Sequence, residues 1–331
     1  MRDFTKYLPR IGFDTPVEIN ELLQVARDDS ELLICLRGKK IHIYYRGGKI
    51  LGISPSRNSC KLDFDKKYLQ ITSLPFNLQW LSSYGNKDII EEPKRFFSDA
   101  KEAMSLWFYE HPKQEREDQQ KIALNNAVIE EEALAIVDIE YAVSFNSSCY
   151  NENYIETFET HNRYPNPRFD IIAIDKTGQI YILELKTGID STDNATTHIT
   201  DFVAMIGSHN IGDNINKPEP RYMTFLKEMD MMIDTLNRER YRHENFLLPK
   251  VNFTKKPIFG FVFTIEINPK SNGYTPEYQT KRIQEIIEGS LSKAIEISEE
   301  RGLGNDVLSF LNEGYIMKDV IFVGNDFKLM I

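Results

Sequence analysis

The sequence predicts a mixed α/β protein in which a small N-terminal β-meander unit precedes a larger domain built on a central mixed sheet flanked by helices. Three observations carry this. Two strand runs, RFDIIAID and QIYILELK, are joined by the turn residues Lys176, Thr177 and Gly178 and followed by a helical stretch. Three short runs near the start, LLICLR, KIHIYYR and KILGIS, are punctuated by Gly38 and by Gly47 and Gly48, a meander pattern. Between these two regions, Pro93 to Val128 is rich in Glu, Lys, Gln and Ala with apolar residues at helical spacing, and Pro112 divides it into two helices.

Taken in order, the chain opens with a short helix expected over Val17 to Ala26, then the meander, with a fourth strand around Lys61 to Phe64 closing the small sheet. A domain boundary is expected between Leu74 and Lys94, giving units of about 1–85 and 95–331. After the two helices comes LAIVDIEYAVSF, whose β-branched content reads as a strand, and then the hairpin. Ser191 to Asn194 offer N-caps for a helix from Ala195 to Ile206. A further helical stretch, Pro220 to Asn245, has a Met-rich face that suits core packing. PIFGFVFTIEI is apolar nearly throughout, as expected of a strand covered on both faces. A long amphipathic helix over Glu277 to Arg301 and a hairpin turning at Gly324, Asn325 and Asp326 complete the expectation.

Composition limits the function classes. A chain of 331 residues with 41% hydrophobic content can bury one large core or two ordinary ones. No apolar stretch reaches the roughly 18 to 20 residues of a membrane helix, and MRDFTKYLPR lacks the apolar middle of a secretory signal, so a soluble cytoplasmic protein is expected. Cys35, Cys60 and Cys149 form no CxxC pair and the six histidines have no zinc spacing, which argues against disulfides and structural zinc. A net charge of −10 argues against a protein that coats nucleic acid nonspecifically. Yet the stretch from Leu32 to Leu62 holds Arg37, Lys39, Lys40, Arg46, Lys49, Arg57 and Lys61 and no acidic residue. With Tyr44 and Tyr45 among them, these cations read either as a nucleic-acid contact, carried chiefly by Arg37, Lys39, Lys40, Arg46 and Lys49, or as a solvated sheet face. Arg238, Arg240, Arg242 and His243 form a second, more acid-diluted cluster.

The chemistry is concentrated in the hairpin. Asp170 opens its first strand, and Glu184 and Lys186 lie near the end of the second. Residues two apart on a strand share a face, and antiparallel pairing about the Gly178 turn brings that end back towards Asp170. Two carboxylates and an ammonium on otherwise apolar strands are costly unless neutralised, and hard oxygen donors suit Mg²⁺ or Mn²⁺. The competing explanation is a solvated strand face with Asp170 as a partner, which has to account for the abrupt switch from the apolar run Ile180 to Leu183 into Glu184 and Lys186.

These residues resemble the PD-(D/E)XK nuclease superfamily, which has the restriction-endonuclease-like fold. The expected order of helix (Lys113 to Val128), three strands, helix (Ala195 to Ile206) and strand is similar too, over roughly Lys113 to Ile267. The resemblance implies Asp170 and Glu184 as metal ligands, Leu185 as a ligand through its backbone carbonyl, Lys186 as the active-site lysine, and Glu117 as the glutamate that members often add from the first core helix. Glu115 and, in the first strand, Glu140 are lesser candidates for that last role. The proline that usually precedes the first aspartate is replaced by Phe169. The implied activity is Mg²⁺-dependent (or Mn²⁺-dependent) phosphodiester hydrolysis in DNA rather than RNA, endonucleolytic, in defence against foreign DNA or in repair. A homodimer would supply two sites for cutting both strands. The alternative is a nucleic-acid-binding or protein-interaction module that keeps the fold without catalysis. Asp190 and Asp193 read either as helix caps or as ligands of a second ion, and His198 and Asp201 either face the same cleft or lie on the helix surface.

Overall fold

The computed structural model describes residues 17–37, 40–55, 60–130, 133–142, 168–187, 195–207, 209–210, 219–242, 245–264, 276–300 and 304–330. They form a mixed α/β protein with a four-stranded antiparallel sheet and a five-stranded mixed sheet, both accompanied by helices. Two compact units divide the chain: 1–128 with 231–247, and 129–230 with 248–331.

In the first unit, helix α1 (Val17–Asp28) leads into the meander β1 (Leu33–Arg37), β2 (Lys40–Tyr45), β3 (Gly48–Pro55) and β4 (Cys60–Asp63), paired in that order. Tyr45 pairs with Gly48, so the β2–β3 turn consists of Arg46 and Gly47. Both have positive φ, 49° and 71°, the type I′ geometry whose twist suits a tight hairpin. Glycine is required at the second position, because a Cβ on Gly47 would stand 2.3 Å from the carbonyl oxygen of Arg116. Helix α2 (Asn86–Glu91) and helix α3 (Pro93–Glu110) follow, the latter with proline in its first turn. Helix α3 buries Phe96, Phe97, Ala100, Ala103, Met104 and Phe108, one stripe at helical spacing.

Helix α4 (Gln114–Asn125) packs with this unit as well. The Gln120 side chain accepts from Gly47 N at 2.6 Å and donates to the carbonyls of Glu31 (2.8 Å) and Tyr44 (3.2 Å). The expected division therefore shifts: α3 and α4, assigned from sequence to the larger domain, belong to the first compact unit, as does 231–247. Buried glutamines on an otherwise polar helix give no apolar periodicity from which this docking could be read.

The second unit is organised by the sheet β11-β10-β7-β6-β5, comprising β5 (Ala135–Ala142), β6 (Arg168–Ile174), β7 (Ile180–Lys186), β10 (Ile258–Thr264) and β11 (Ile321–Val323). Strand β6 is antiparallel to both β5 and β7, whereas β10 is parallel to both β7 and β11. A parallel partner for β7 requires a crossover, and helix α5 (Ala195–Gly207) lies on that connection. Phe202 of α5 stacks on Phe259 of β10, ring centroids 5.1 Å apart, which ties the helix to the sheet. The two-residue strands β8 (His209–Asn210) and β9 (Glu219–Pro220) pair with each other ahead of helix α6 (Arg221–Arg238). Helices α7 (Pro276–Glu300) and α8 (Gly304–Asn312) pack together and against α5. Among the described residues no helix is long and apolar enough to cross a membrane.

The expected C-terminal hairpin does not form. After β11 the chain turns at Gly324 to Phe327, and its last residues reach the segment just before β5, where Leu134 N donates to Leu329 O at 3.0 Å and Ala133 bridges Met330. The turn residues were legible, but the partner of the last segment is supplied by β10 and β5, far away in sequence.

Candidate active site

Strand β7 is the centre of the larger sheet and is buried at all seven positions, including Glu184 (3% exposed) and Lys186 (5%). This burial excludes the solvated-face explanation. Polar groups taken out of water are costly without a partner, and these have one: Lys186 Nζ donates to Glu184 Oε1 at 2.9 Å. The pairing follows from the strand's period of two, which puts both side chains on one face while Leu185 faces the other.

Strands β6 and β7 pair from Ile171 to Ile174 against Ile180 to Leu183. Beyond Leu183, the described pairing of β7 continues with β10, where Glu184, Leu185 and Lys186 match Phe261, Val262 and Phe263. Strand β6 meanwhile stays paired with β5 as far as Arg168. The sheet therefore forks where Asp170 and Glu184 would face each other. At the fork, Asp170 Oδ2 accepts from the backbone N–H of Leu185 at 2.9 Å, taking the place of a ladder carbonyl. Half-buried Asp170 is thus held against β7 beside the buried Glu184–Lys186 pair. On its other side, Glu140 lies between the pairs Ile139–Ile171 and Tyr141–Phe169 and has a left-handed backbone, φ 48°.

Helix α5 adds a residue. His198, 8% exposed, places Nε2 2.8 Å from Glu184 Oε1, so this oxygen meets both a lysine and a histidine. Of the two readings open for His198, the structure selects the one facing the site. The signal was present in the sequence: Ala195, His198, Ile199, Phe202, Met205 and Ile206 form one buried helical stripe, and a histidine within it must face the sheet. Asp201, also on α5, is buried too, at 2% exposure.

Glu117 is used differently. It sits in the first turn of α4, in the first unit, where Arg46 donates to both its carboxylate oxygens at 2.8 and 3.0 Å. The same guanidinium lies over the Phe108 ring, 5.3 Å from its centroid. The structure therefore brings together Asp170, Glu184 and Lys186, and commits Glu117 and Arg46 to each other. Lys39, Arg57, Asp190, Asp193 and His243 lie outside the described residues.

Among the described residues, no three His, Cys, Asp or Glu side chains are grouped so as to hold a metal ion. Magnesium and manganese are bound through one or two carboxylates with water and substrate oxygens completing the shell, and the residues here that could take that part are few. Asp170 and Glu184 are two such carboxylates, and the Leu185 backbone carbonyl is a third hard oxygen donor at the same point of the chain. No protein-family model, curated protein or solved structure matches this chain.

His42 on β2 was not singled out by sequence. Burial and the positive charges of Arg37, Lys49 and Lys40 lower its pKa from the ordinary 6.5 to about 4, against a smaller opposing effect of Asp63. Because the folded value lies below the unfolded one, the unfolded chain binds the proton first, and stability present above about pH 6.5 is lost as pH falls towards 4. The urea midpoint of the native chain is expected to drop between pH 7 and 5 by more than that of His42→Gln. Equal drops would show that His42 is not a source of the acid sensitivity.

Proposed function

We propose that this protein is a divalent-metal-dependent nuclease that hydrolyses phosphodiester bonds of DNA, acting endonucleolytically from Asp170, Glu184 and Lys186. The observation that carries the proposal is the buried Glu184–Lys186 pair on the central strand, next to the point where Asp170 crosses the fork to Leu185. Charged groups so deep in a sheet are costly to stability, and concentrated titratable groups of this kind are characteristic of functional sites.

In this reading Asp170, Glu184 and the Leu185 carbonyl would hold Mg²⁺, or Mn²⁺ in its place. When bound, the ion supplies Lewis acidity at the phosphoryl group and a more acidic water. Asp170 is oriented by its hydrogen bond from Leu185 N, and Glu184 by Lys186 and His198. Lys186 Nζ then provides a positive donor for the attacking water or for the charge that grows on the phosphoryl oxygens. The expected setting is the cytoplasm, in defence against foreign DNA or in repair, with a homodimer for double-strand cuts.

The test is incubation of the purified chain with plasmid, linear duplex, single-stranded DNA and RNA in Mg²⁺ or Mn²⁺, with EDTA as the control. DNA cleavage that EDTA abolishes is the expected result; absence of metal-dependent cleavage of every substrate would reject the proposal. A second reading, a binding module that keeps the fold without catalysis, is favoured by one observation. Glu184 Oε1 already meets both Lys186 and His198, so partners within the chain serve this carboxylate. The same assay separates the two.

A further inference from the structure

The small sheet of the first unit has two unlike faces. One carries Leu36, Ile41, Ile43, Ile53 and Leu62, all buried. The other is defined by register: Arg37 pairs with Lys40, Tyr44 with Lys49, His42 with Gly52 and Ser54 with Lys61. Cross-strand partners and residues two apart share a face, so Arg37, Lys40, His42, Lys49 and Lys61 lie together, beside the buried Leu33, Cys35 and Tyr44 of the same face; Lys40 and Lys61 are exposed and Arg37, His42 and Lys49 half-buried. Asp63 is the acidic residue placed among them, 2.8 Å from Lys49 Nζ.

We propose that this face, centred on Arg37, Lys40 and His42, binds the phosphate backbone of the DNA substrate. The inference rests on the nuclease reading for the identity of its ligand. Among the described residues of the four strands, four cations to one acid on this face is an unusual balance in a protein of net charge −10. Arg37 and Lys40 are direct cross-strand partners of like charge, which concentrates positive charge at this end of the β1–β2 pair. The proton affinity of His42 is lowered first by burial and then by the charges of Arg37, Lys49 and Lys40, which face it.

The dimensions select the ligand. The cations are spread over four adjacent strands, about 14 Å at the usual strand spacing, more than one phosphate can bridge but suited to successive phosphates of a strand. An aromatic floor accompanies them: the Arg37 guanidinium lies 5.6 Å from the Tyr44 ring centroid, and His42 Nδ1 is 3.4 Å from Tyr44 Oη. Arg46, counted with this group from sequence, lies in the β2–β3 turn and is held by Glu117, and Lys49 is held likewise by Asp63, so the binding is carried chiefly by the other cations.

The test uses the full chain in EDTA, so that hydrolysis is blocked, with a fluorescein-labelled duplex of about 20 base pairs, and follows anisotropy across a NaCl series. Arg37→Glu with Lys40→Glu is expected to weaken binding at least about 10-fold and to reduce the slope of log K against log salt by about 2, one for each phosphate no longer neutralised. Arg37→Gln with Lys40→Gln, gentler on the fold, is expected to shift the slope in the same direction. Lys87→Glu with Lys94→Glu, at exposed positions elsewhere in the unit, makes the same change in net charge and is expected to leave binding within about twofold. The proposal is overturned if native protein does not bind the duplex, if the Arg37 and Lys40 variants bind as tightly as native protein, or if the control pair weakens binding equally. Plasmid cleavage in Mg²⁺, run in parallel, keeps the two readings apart. Binding that depends on Arg37 and Lys40 without any cleavage supports this surface and rejects the nuclease site; cleavage with unaltered binding by the variants does the reverse.

Discussion

Glu184→Gln and Lys186→Met are each expected to reduce DNA cleavage by at least about 100-fold, the scale seen when one positioned electrostatic group is removed from a reacting centre. Their effects on stability should differ from their effects on activity. Each single substitution strands a charge in the sheet interior, where Glu184 is 3% and Lys186 5% exposed, and breaking such a pair costs about 3–5 kcal/mol. The double variant removes both charges and is expected to recover most of that stability while remaining inactive. Urea denaturation and a plasmid nicking assay on the three variants and the native chain complete the cycle. Full cleavage by either single variant would show that the buried pair is structural, as the non-catalytic reading holds. His198 enters the same cycle: Lys186→Met leaves Glu184 Oε1 to rely on His198, so the stability loss should deepen when His198→Ala is added.

Gly178→Ala is expected to destabilise the protein by about 2–6 kcal/mol, the sum of a non-glycine residue in left-handed backbone and overpacking against a fixed neighbour. Gly178 has φ 80°, and a Cβ there would lie 2.3 Å from the carbonyl oxygen of Lys250 and 2.9 Å from Asn252 N. Neither is the end of a flexible side chain, so the clash is relieved only by moving backbone. Gly178 O also accepts from Asn252 N at 2.8 Å, pinning the turn to the segment before β10. Because this turn sets the register of Ile171 against Leu183, and hence the approach of Asp170 to Leu185, cleavage should fall with stability. A loss below about 0.5 kcal/mol, the scale of a neutral surface change, would show that the turn yields easily.

Local rules account for much of the larger unit. Turn residues at Lys176 to Gly178 between two apolar runs determine a hairpin, and the strand period of two then places Glu184 beside Lys186. No other part of the chain is needed for that step. The break at Pro112 and the apolar stripe of α3 are equally local. The same holds for the meander, although its tight turn consists of Arg46 and Gly47 rather than the two glycines.

What the amino-acid sequence alone determined, then, is most of the longer elements, though not α2, α8, β8 or β9, and which residues of a strand share a face. Tertiary structure decided which elements become neighbours. It gave α4 and its Glu117 to the first unit, took the chain terminus to β5, parted β6 from β7 at Asp170, and set His198 against Glu184. Each of these arrangements joins residues separated by a turn, a helix or most of the chain, and depends on burial shared by two distant surfaces. Periodicity reports only that a surface will be buried, and leaves open which surface buries it.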